Sequence, residues 1–421
     1  MNKLTQSKKF NPNYAAQIVE LKTKHVHPNA DRLSIWKIQG CNVITDNVNY
    51  AEGDIVVFFP VECQINKDFL SFLSLYRDKI LNKTDSVGFF EPSSRVKALK
   101  LRNTPSEGFI IKLSSFIEFF GEIQYNIGDV FDSVDDIQVC KKYIIKEHNV
   151  NSSTRKERTI AKHDIVEDQF RFHYDTEKLV NNEFALNQGD ICVISSKWHG
   201  TSLVSSKLLT KRKLSILEKI VRLLGVKTQE SEYQYIFSSR KVIKNVGQKS
   251  IEGQSYYEDD IWGLAHDKIK HTIKNGMSLY CEIVGYLPSG KMIQDGYDYG
   301  CKMGEFKVLV YRITTTNDIG NVYEWDWASI KNYCNKYEIE HVPEYYYGPI
   351  NFTIEQLKEK YLEKDCQYCI NHVPDEGICF RNESLDKKAY KMKSFRFLER
   401  ESKTLDKGVV DTESQESYVE V

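Results

Sequence analysis

The chain has 421 residues, more than one hydrophobic core usually organises, so two domains or three are expected. Apolar residues make up 41% and charged residues 28%, the values of an ordinary soluble folded protein, and no run approaches the ~18 apolar residues of a membrane span. A formal net charge of −1 excludes a global attraction to polyanions, so any nucleic-acid site must be local.

The first residues, "MNKLTQSKKFNPNYAAQ", lack the apolar core of a signal peptide, and the ten cysteines show no disulfide-like framework. An intracellular protein, cytoplasmic or nuclear, with mostly buried free thiols, is the expectation. No membrane partner is expected, and a monomer is.

In residues 1–145, "AQIVELK", "RLSIWKIQG", "DIVVFFP", "RVKALKLRN" and "EGFIIKL" read as short strands separated by turn signals such as "HPNAD" and "AEGD". Five such strands are most economically closed into an OB-type β-barrel, which leaves few exposed edges. Arg95, Lys97, Lys100 and Arg102 either face a phosphate backbone or form a solvated strand face. Residues 146–168 are polar and without apolar periodicity, and read as a linker. Residues 169–403 form a larger region of mixed helix and strand. The polar, mainly acidic tail 404–421 buries too little apolar surface to order itself.

Within the larger region, "GDICVISSKWHGTSLV" places Lys197 at the end of an apolar β run, followed closely by Gly200, which permits a tight turn or close approach. A nucleophilic lysine must be neutral, a handicap of roughly 4.6 kcal/mol at pH 7 unless burial or nearby cations lower its pKa. "AYKMKSF" supplies Lys391 and Lys393, two apart and thus on one face of a strand. Glu282 in "LYCEIVGY" and Glu376 in "DEGICFRNE" are carboxylates set in apolar β runs, costly unless they are paired or act on a ligand or metal. Between these segments, 206–237 carries Leu and Ile at helical spacing among Lys and Arg. An amphipathic basic helix dressing the surface is expected there, in preference to one tracking an RNA backbone. Cys366, Cys369, His372 and Cys379 have a spacing that suits zinc, but one CxxC without a second is a weak signal and buried thiols are preferred.

Taken in order, "KWHGT", "SSRKVIKN", "LYCEIVGY", "FKVLVYRI", "DEGICFRN" and "YKMKS" resemble motifs I, Ia, III, IIIa, IV and V of the covalent nucleotidyltransferase superfamily of ligases and capping enzymes. The histidine in KxHG, together with the barrel ahead of these motifs, resembles the ATP-dependent RNA ligases with an N-terminal OB domain. Trp198 stands where that family often has leucine. The resemblance implies an α+β protein, an OB-type barrel followed by an adenylyltransferase domain of antiparallel sheets and helices. It implies ATP, Mg2+ or Mn2+, and RNA ends, nicked or broken and possibly within a duplex, as partners.

By resemblance Lys197 carries AMP, and Lys391 and Lys393 stabilise phosphate charge. Glu376 and Glu282 hold the metal through water, and Glu282 alternatively holds the ribose. Arg171, Arg240, His199 and Gly200 lie near the nucleotide, and Phe306 stacks on adenine. A DNA ligase or RNA guanylyltransferase would need a barrel after motif V, where only 28 residues follow Lys393. A non-catalytic RNA-binding protein on the same fold is disfavoured because every ionisable motif position is filled.

Overall fold

The computed structural model describes residues 1–145, 164–246, 249–250 and 260–409. In the N-terminal region, β1 (Ala16–Glu20), β2 (Leu33–Ile38), β3 (Cys41–Asp46), β4 (Ile55–Pro60) and β5 (Gly108–Lys112) are joined by shorter strands into several small sheets. β4 lies between β1 and β5, antiparallel to both, which explains why "IVVFFP" is an unbroken apolar run rather than an alternating one. β3 was not anticipated. It pairs with β2 through a tight turn at Gln39 and Gly40, whose φ values of 49° and 67° match a two-residue hairpin turn. Helices α1 (Lys67–Phe72) and α2 (Leu113–Phe120) pack Phe69 against Phe116 and Phe120, at 5.6 and 5.1 Å between ring centres, over Ile18 and Val57.

"RVKALKLRN" is not one strand with a basic face, because only Leu99–Leu101 forms a strand, while Arg95 makes an isolated bridge to Gln64. Arg95 is buried, bonded to Glu62 (3.2 Å), the Ser402 carbonyl (2.9 Å) and Asp406 (2.7 Å), and Lys97 reaches Asp406 at 2.8 Å. These two cations therefore tie the N-terminal region to the last helix rather than facing a phosphate chain. Lys100 and Arg102 are exposed.

The larger region has two sheets. A five-stranded sheet runs in the order Glu177–Lys178, β13 (Ala389–Lys393), β12 (Gly377–Asn382), β6 (Ile191–Lys197), β11 (Glu344–Pro349). A seven-stranded antiparallel sheet is built around β8 (Ser231–Ser238), β7 (Thr201–Lys211), β9 (Met277–Gly285) and β10 (Phe306–Thr316), in that order. The chain passes from one sheet to the other through Trp198–Gly200. All nine residues of β9 are buried, packed with Trp262 of α4 (Ile261–Ile269) and Trp327 and Ile330 of α5 (Trp327–Lys336). Behind the five-stranded sheet, Ile194, Phe380 and Tyr390 pack on Leu357 and Tyr361 of α6 (Ile354–Tyr361).

The anticipated boundaries shift at both ends of this region. Residues 146–163 of the expected linker lie outside the described residues, but Ile165 pairs with Thr210 and is buried with Leu208 and Ile236, so the segment has joined the fold before residue 168. The last helix, α7 (Phe395–Asp406), runs past residue 403 because Ser394 caps its start and Asp406 is held by Arg95 and Lys97. Tail residues 410–421 lie outside the described residues. The expected basic helix forms as α3 (Ile216–Leu223), at the tip of the β7–β8 connection. Among the described residues no helix is long and apolar enough to cross a membrane.

Removing one partner of a buried ion pair strands the other charge. Arg95→Met is therefore expected to cost about 3–5 kcal/mol, read as a lower thermal unfolding midpoint, whereas Lys100→Met at the neighbouring exposed position leaves the midpoint unchanged.

Candidate active site

β6, β12 and β13 place the candidate residues by register alone. Lys197 lies opposite Gly377, and Gly377 opposite Lys393; one step along, Ser195 lies opposite Cys379, and Cys379 opposite Lys391. Side chains alternate along a strand, so Lys197, Lys391 and Lys393 share one face and open into a common cavity. Glu376, immediately before β12, is buried at the foot of this row, with Oε1 2.8 Å from Lys197 Nζ and 3.6 Å from Lys393 Nζ. Gly377 must follow it. Its φ of 142° and the 2.0 Å separation of a built Cβ from the Met392 carbonyl leave no room for a side chain.

The turn between the sheets is equally constrained. Trp198 is buried, stacked on Tyr299 at 4.3 Å, and the His199 amide donates to the Tyr299 hydroxyl at 2.6 Å. The Gly200 amide donates to Glu282 Oε1 at 2.9 Å, and a Cβ on Gly200 would sit 2.2 Å from the Ile283 carbonyl. This glycine lets the turn press against β9 and clamp the Glu282 carboxylate on the cavity wall. Arg240 completes the cationic lining, held by Asp175 at 2.7 Å.

The electrostatics follow from crowding cations in a buried place. Burial first, then Lys393, Lys197 and Arg240, lower Lys391 to about 7. For Lys393 burial acts in the same direction, but the carboxylates of Glu401 and Glu376 outweigh it and hold its pKa well above the ordinary lysine value. Glu62, brought in from the N-terminal region, is raised to about 7 by burial and then by Glu401, against the opposing pull of Arg95 and Lys393. Cys379, between the lysines on the sheet, is pushed up to about 11, chiefly by burial.

Of the residues singled out in the sequence, Lys197, Lys391, Lys393, Glu376, Glu282 and Arg240 converge on the one cavity. Three assignments are corrected. Phe306 lies at the far end of β10, opposite Gly285, with the Lys268 ammonium 3.6 Å from its ring centre. The ring that β10 brings to the cavity wall is Tyr311, placed there where the β9–β10 register shifts between Tyr280 and Cys281. Arg171 is partly exposed and paired with Asp168 at 2.9 Å, outside the cavity, which is lined instead by its neighbour His173. His199 does not line the cavity; its ring meets Tyr297 and Phe397 edge-on at 5.2 and 5.0 Å, so it supports the turn rather than a ligand.

The possible zinc set also does not converge. Cys379 lies on the sheet beside Lys391, His372 is exposed, and among the described residues no group of three or more His, Cys, Asp or Glu could hold a metal. Tyr14, Glu62 and Lys142 of the N-terminal region, and Glu401 on α7, also border the cavity, and nothing in their local sequence marks them for it. No local pattern marks a residue whose role arises only from the docking of one region on another.

The site thus combines a strand-end lysine paired with a buried glutamate and flanked by two lysines and an arginine. Residues 190–394, from the start of β6 to just past β13, match the RNA ligase family. No curated protein matches the chain by sequence. Its fold is similar to that of a Naegleria gruberi RNA ligase mutant with ATP and Mn, at 16% identity and a TM-score of 0.58, covering 91% of this chain and 98% of that one. It is similar also to a mutant of the same ligase with AMP and Mn, at 15% identity and a TM-score of 0.59, covering 93% and 99%. At these identities the likeness is one of fold, and it takes in the N-terminal region as well.

Lys391 makes stability pH-dependent with a definite sign. Its ordinary pKa is 10.5 and its folded value about 7, so between the two the unfolded chain holds one more proton. The contribution is complete above 10.5 and is lost as pH falls towards 7. Lys391→Met removes the penalty. In the absence of nucleotide it is expected to raise the unfolding midpoint at pH 7, by a free energy on the order of 4 kcal/mol at most. The advantage over the parent should shrink as pH rises towards 10, as a pH series of thermal melts would show.

Proposed function

We propose that the protein is an ATP-dependent RNA ligase that joins a 3'-hydroxyl to a 5'-phosphate through a lysyl-AMP on Lys197 and an RNA-adenylate. In this reading residues 1–145 are an OB-type barrel, and the adenylyltransferase domain runs from Ile165 to the end of α7 at Asp406. The observation that carries the reading is the Lys197–Glu376 pair, 2.8 Å apart, beside Lys391, Lys393 and Arg240 in one cavity of a span that matches the RNA ligase family. The Naegleria gruberi structures with ATP and Mn, and with AMP and Mn, support the choice of nucleotide.

In the first step Lys197 Nζ attacks the α-phosphorus; the N–P bond forms, the α–β bridging P–O bond breaks, and pyrophosphate leaves. Glu376 Oε1 is at hydrogen-bond distance to hold the proton that Nζ must give up. In the second, an oxygen of an RNA 5'-phosphate attacks the same phosphorus, the P–N bond breaks, and Nζ recovers a proton. In the third, a 3'-hydroxyl attacks the 5'-phosphorus and AMP leaves.

Charge develops on non-bridging oxygens in each step, and Lys391, Lys393 and Arg240 face the space where it would appear. Lys391, whose charged form is disfavoured by burial and by Lys393, Lys197 and Arg240, is driven towards the full cation as phosphates enter. Arg240 brings a planar fork suited to phosphate or ribose oxygens. Tyr311 takes the stacking role first given to Phe306.

The site fits a divalent ion. Glu376 Oε2 is buried without a hydrogen-bond partner among the described residues, and Glu282 presents a second carboxylate on the cavity wall. Two carboxylates leave most of a hard cation's sphere to water and phosphate oxygens, the usual arrangement for Mg2+ and Mn2+. Bound there, the ion would neutralise phosphate charge.

The test is labelling with ATP carrying a radioactive α-phosphate, after pyrophosphate treatment to strip any preformed adenylate. A covalent band is expected with ATP and Mg2+ or Mn2+, absent in Lys197→Ala and chased by nicked RNA into sealed product. Tyr311→Ala is expected to weaken nucleotide capture about tenfold, and Phe306→Ala to leave it unchanged. A band with GTP alone, or none with either nucleotide from folded protein, would sink the assignment.

A further inference from the structure

The tip of the β7–β8 connection carries an apolar face that the described residues do not cover. α3 buries none of its residues: Leu223 is 87% exposed, Ile216 and Leu224 77%, and Leu217 74%. At 100° per residue these, with Ile220 and Val221, form one continuous face, while Glu218, Lys219 and Arg222 occupy the other. An eight-residue helix is marginal in isolation. This one is held by local polar bonds, a capping box between Ser215 and Glu218, an Arg212–Glu218 ion pair and an Arg222–Glu230 pair at 3.0 Å. Its polar contacts thus keep it helical, and its apolar face is left uncovered by the described residues.

The charge around that face restricts what the partner is. Residues 211–227 hold six Lys or Arg and a single Glu, a net +5 in a chain whose total is −1. Lys211, Lys213, Lys219, Arg222 and Lys227 are exposed. We propose that α3 and its flanking lysines dock the protein on an anionic phospholipid surface, the apolar face entering the acyl boundary and the cations meeting headgroups. This is a contact with the surface and not a span, so the lack of a spanning run in the sequence does not bear on it.

Two other partners fit less well. A second copy of the chain, meeting face to face, would bring two +5 segments together at the contact. An RNA backbone would satisfy the lysines, but it gains nothing from leucines and isoleucines that project furthest into solvent, and Arg212 and Arg222 already engage carboxylates. The position suits a tether. β7 runs eleven residues from Thr201, beside the cavity, to Lys211, so α3 lies roughly 30 Å from Lys197 and leaves the active site accessible.

The experiment is sedimentation of the full chain with phosphatidylcholine vesicles, with and without about 30% phosphatidylserine. It is run beside Leu223→Asp/Leu224→Asp, two exposed positions whose replacement should leave the fold and Lys197 labelling unchanged. Binding is expected only to the anionic vesicles, weaker in high salt, and reduced about tenfold or more in the double variant. No binding to anionic vesicles, or equal binding by the double variant, overturns the proposal. So does an absence of vesicle binding accompanied by self-association or RNA affinity that the same variant removes, with the second copy or RNA then taking the lipid's place.

Discussion

The ion pair between Lys197 and Glu376 is the constraint around which the larger region is arranged. It needs two strands in one register: Lys197 opposite Gly377 puts the ammonium within 2.8 Å of the carboxylate one residue upstream. Side chains alternate with period two, so a slip by one residue would turn Lys197 away from the cavity and leave Glu376 buried without its nearest cation. The register is held by what lies on the opposite face, where Ile194, Phe380 and Tyr390 are packed against α6. A hydrophobic core on one side of the sheet thus fixes an electrostatic arrangement on the other.

The N-terminal region enters the same network from outside. Arg95 joins Glu62 to Asp406 and the Ser402 carbonyl, so the end of α7 is pinned to the region that also sends Tyr14, Glu62 and Lys142 to the cavity rim. Glu401, on the same helix, reaches Lys393 at 3.2 Å. Helix α7 is therefore the shared element: one of its carboxylates helps to keep a cavity lysine charged and another anchors the docking of the two regions. Bringing the second region over the cavity lowers the effective dielectric there, which strengthens every interaction that the lysines make with a phosphate.

The parts of the site legible in the sequence were those whose position follows from strand periodicity and local context. Lys197 closes an apolar run, Glu282 and Glu376 interrupt such runs, and Lys391 and Lys393 are two apart; all five reach the cavity. The misplaced residues depended on information that a single segment does not contain. Phe306 and Tyr311 both lie on β10, and only the register shift opposite Tyr280 and Cys281 decides which ring faces the cavity. Arg95 and Lys97 have the look of a basic strand face, but their partners lie more than three hundred residues away on α7. β3 was missed because Gly40 reads as the end of a strand, when its positive φ makes it the turn of a hairpin.

The cost of this site falls on the protein before any ligand arrives. Lys142, Lys197, Arg240, Arg381, Lys391 and Lys393 border one space with Glu62, Glu282, Glu376 and Glu401; Glu376 pairs with Lys197, Glu401 with Lys393 and Asp175 with Arg240, whereas burial and then Lys393, Lys197 and Arg240 lower the pKa of Lys391. A carboxylate beside Lys391 would stabilise the empty protein, but it would also occupy the electrostatic position that a phosphate must take. Leaving Lys391 among cations in this way keeps part of the binding energy of a polyanion in reserve. The empty fold is less stable near neutral pH as a result, and the same unmet charge is what favours the entry of phosphates.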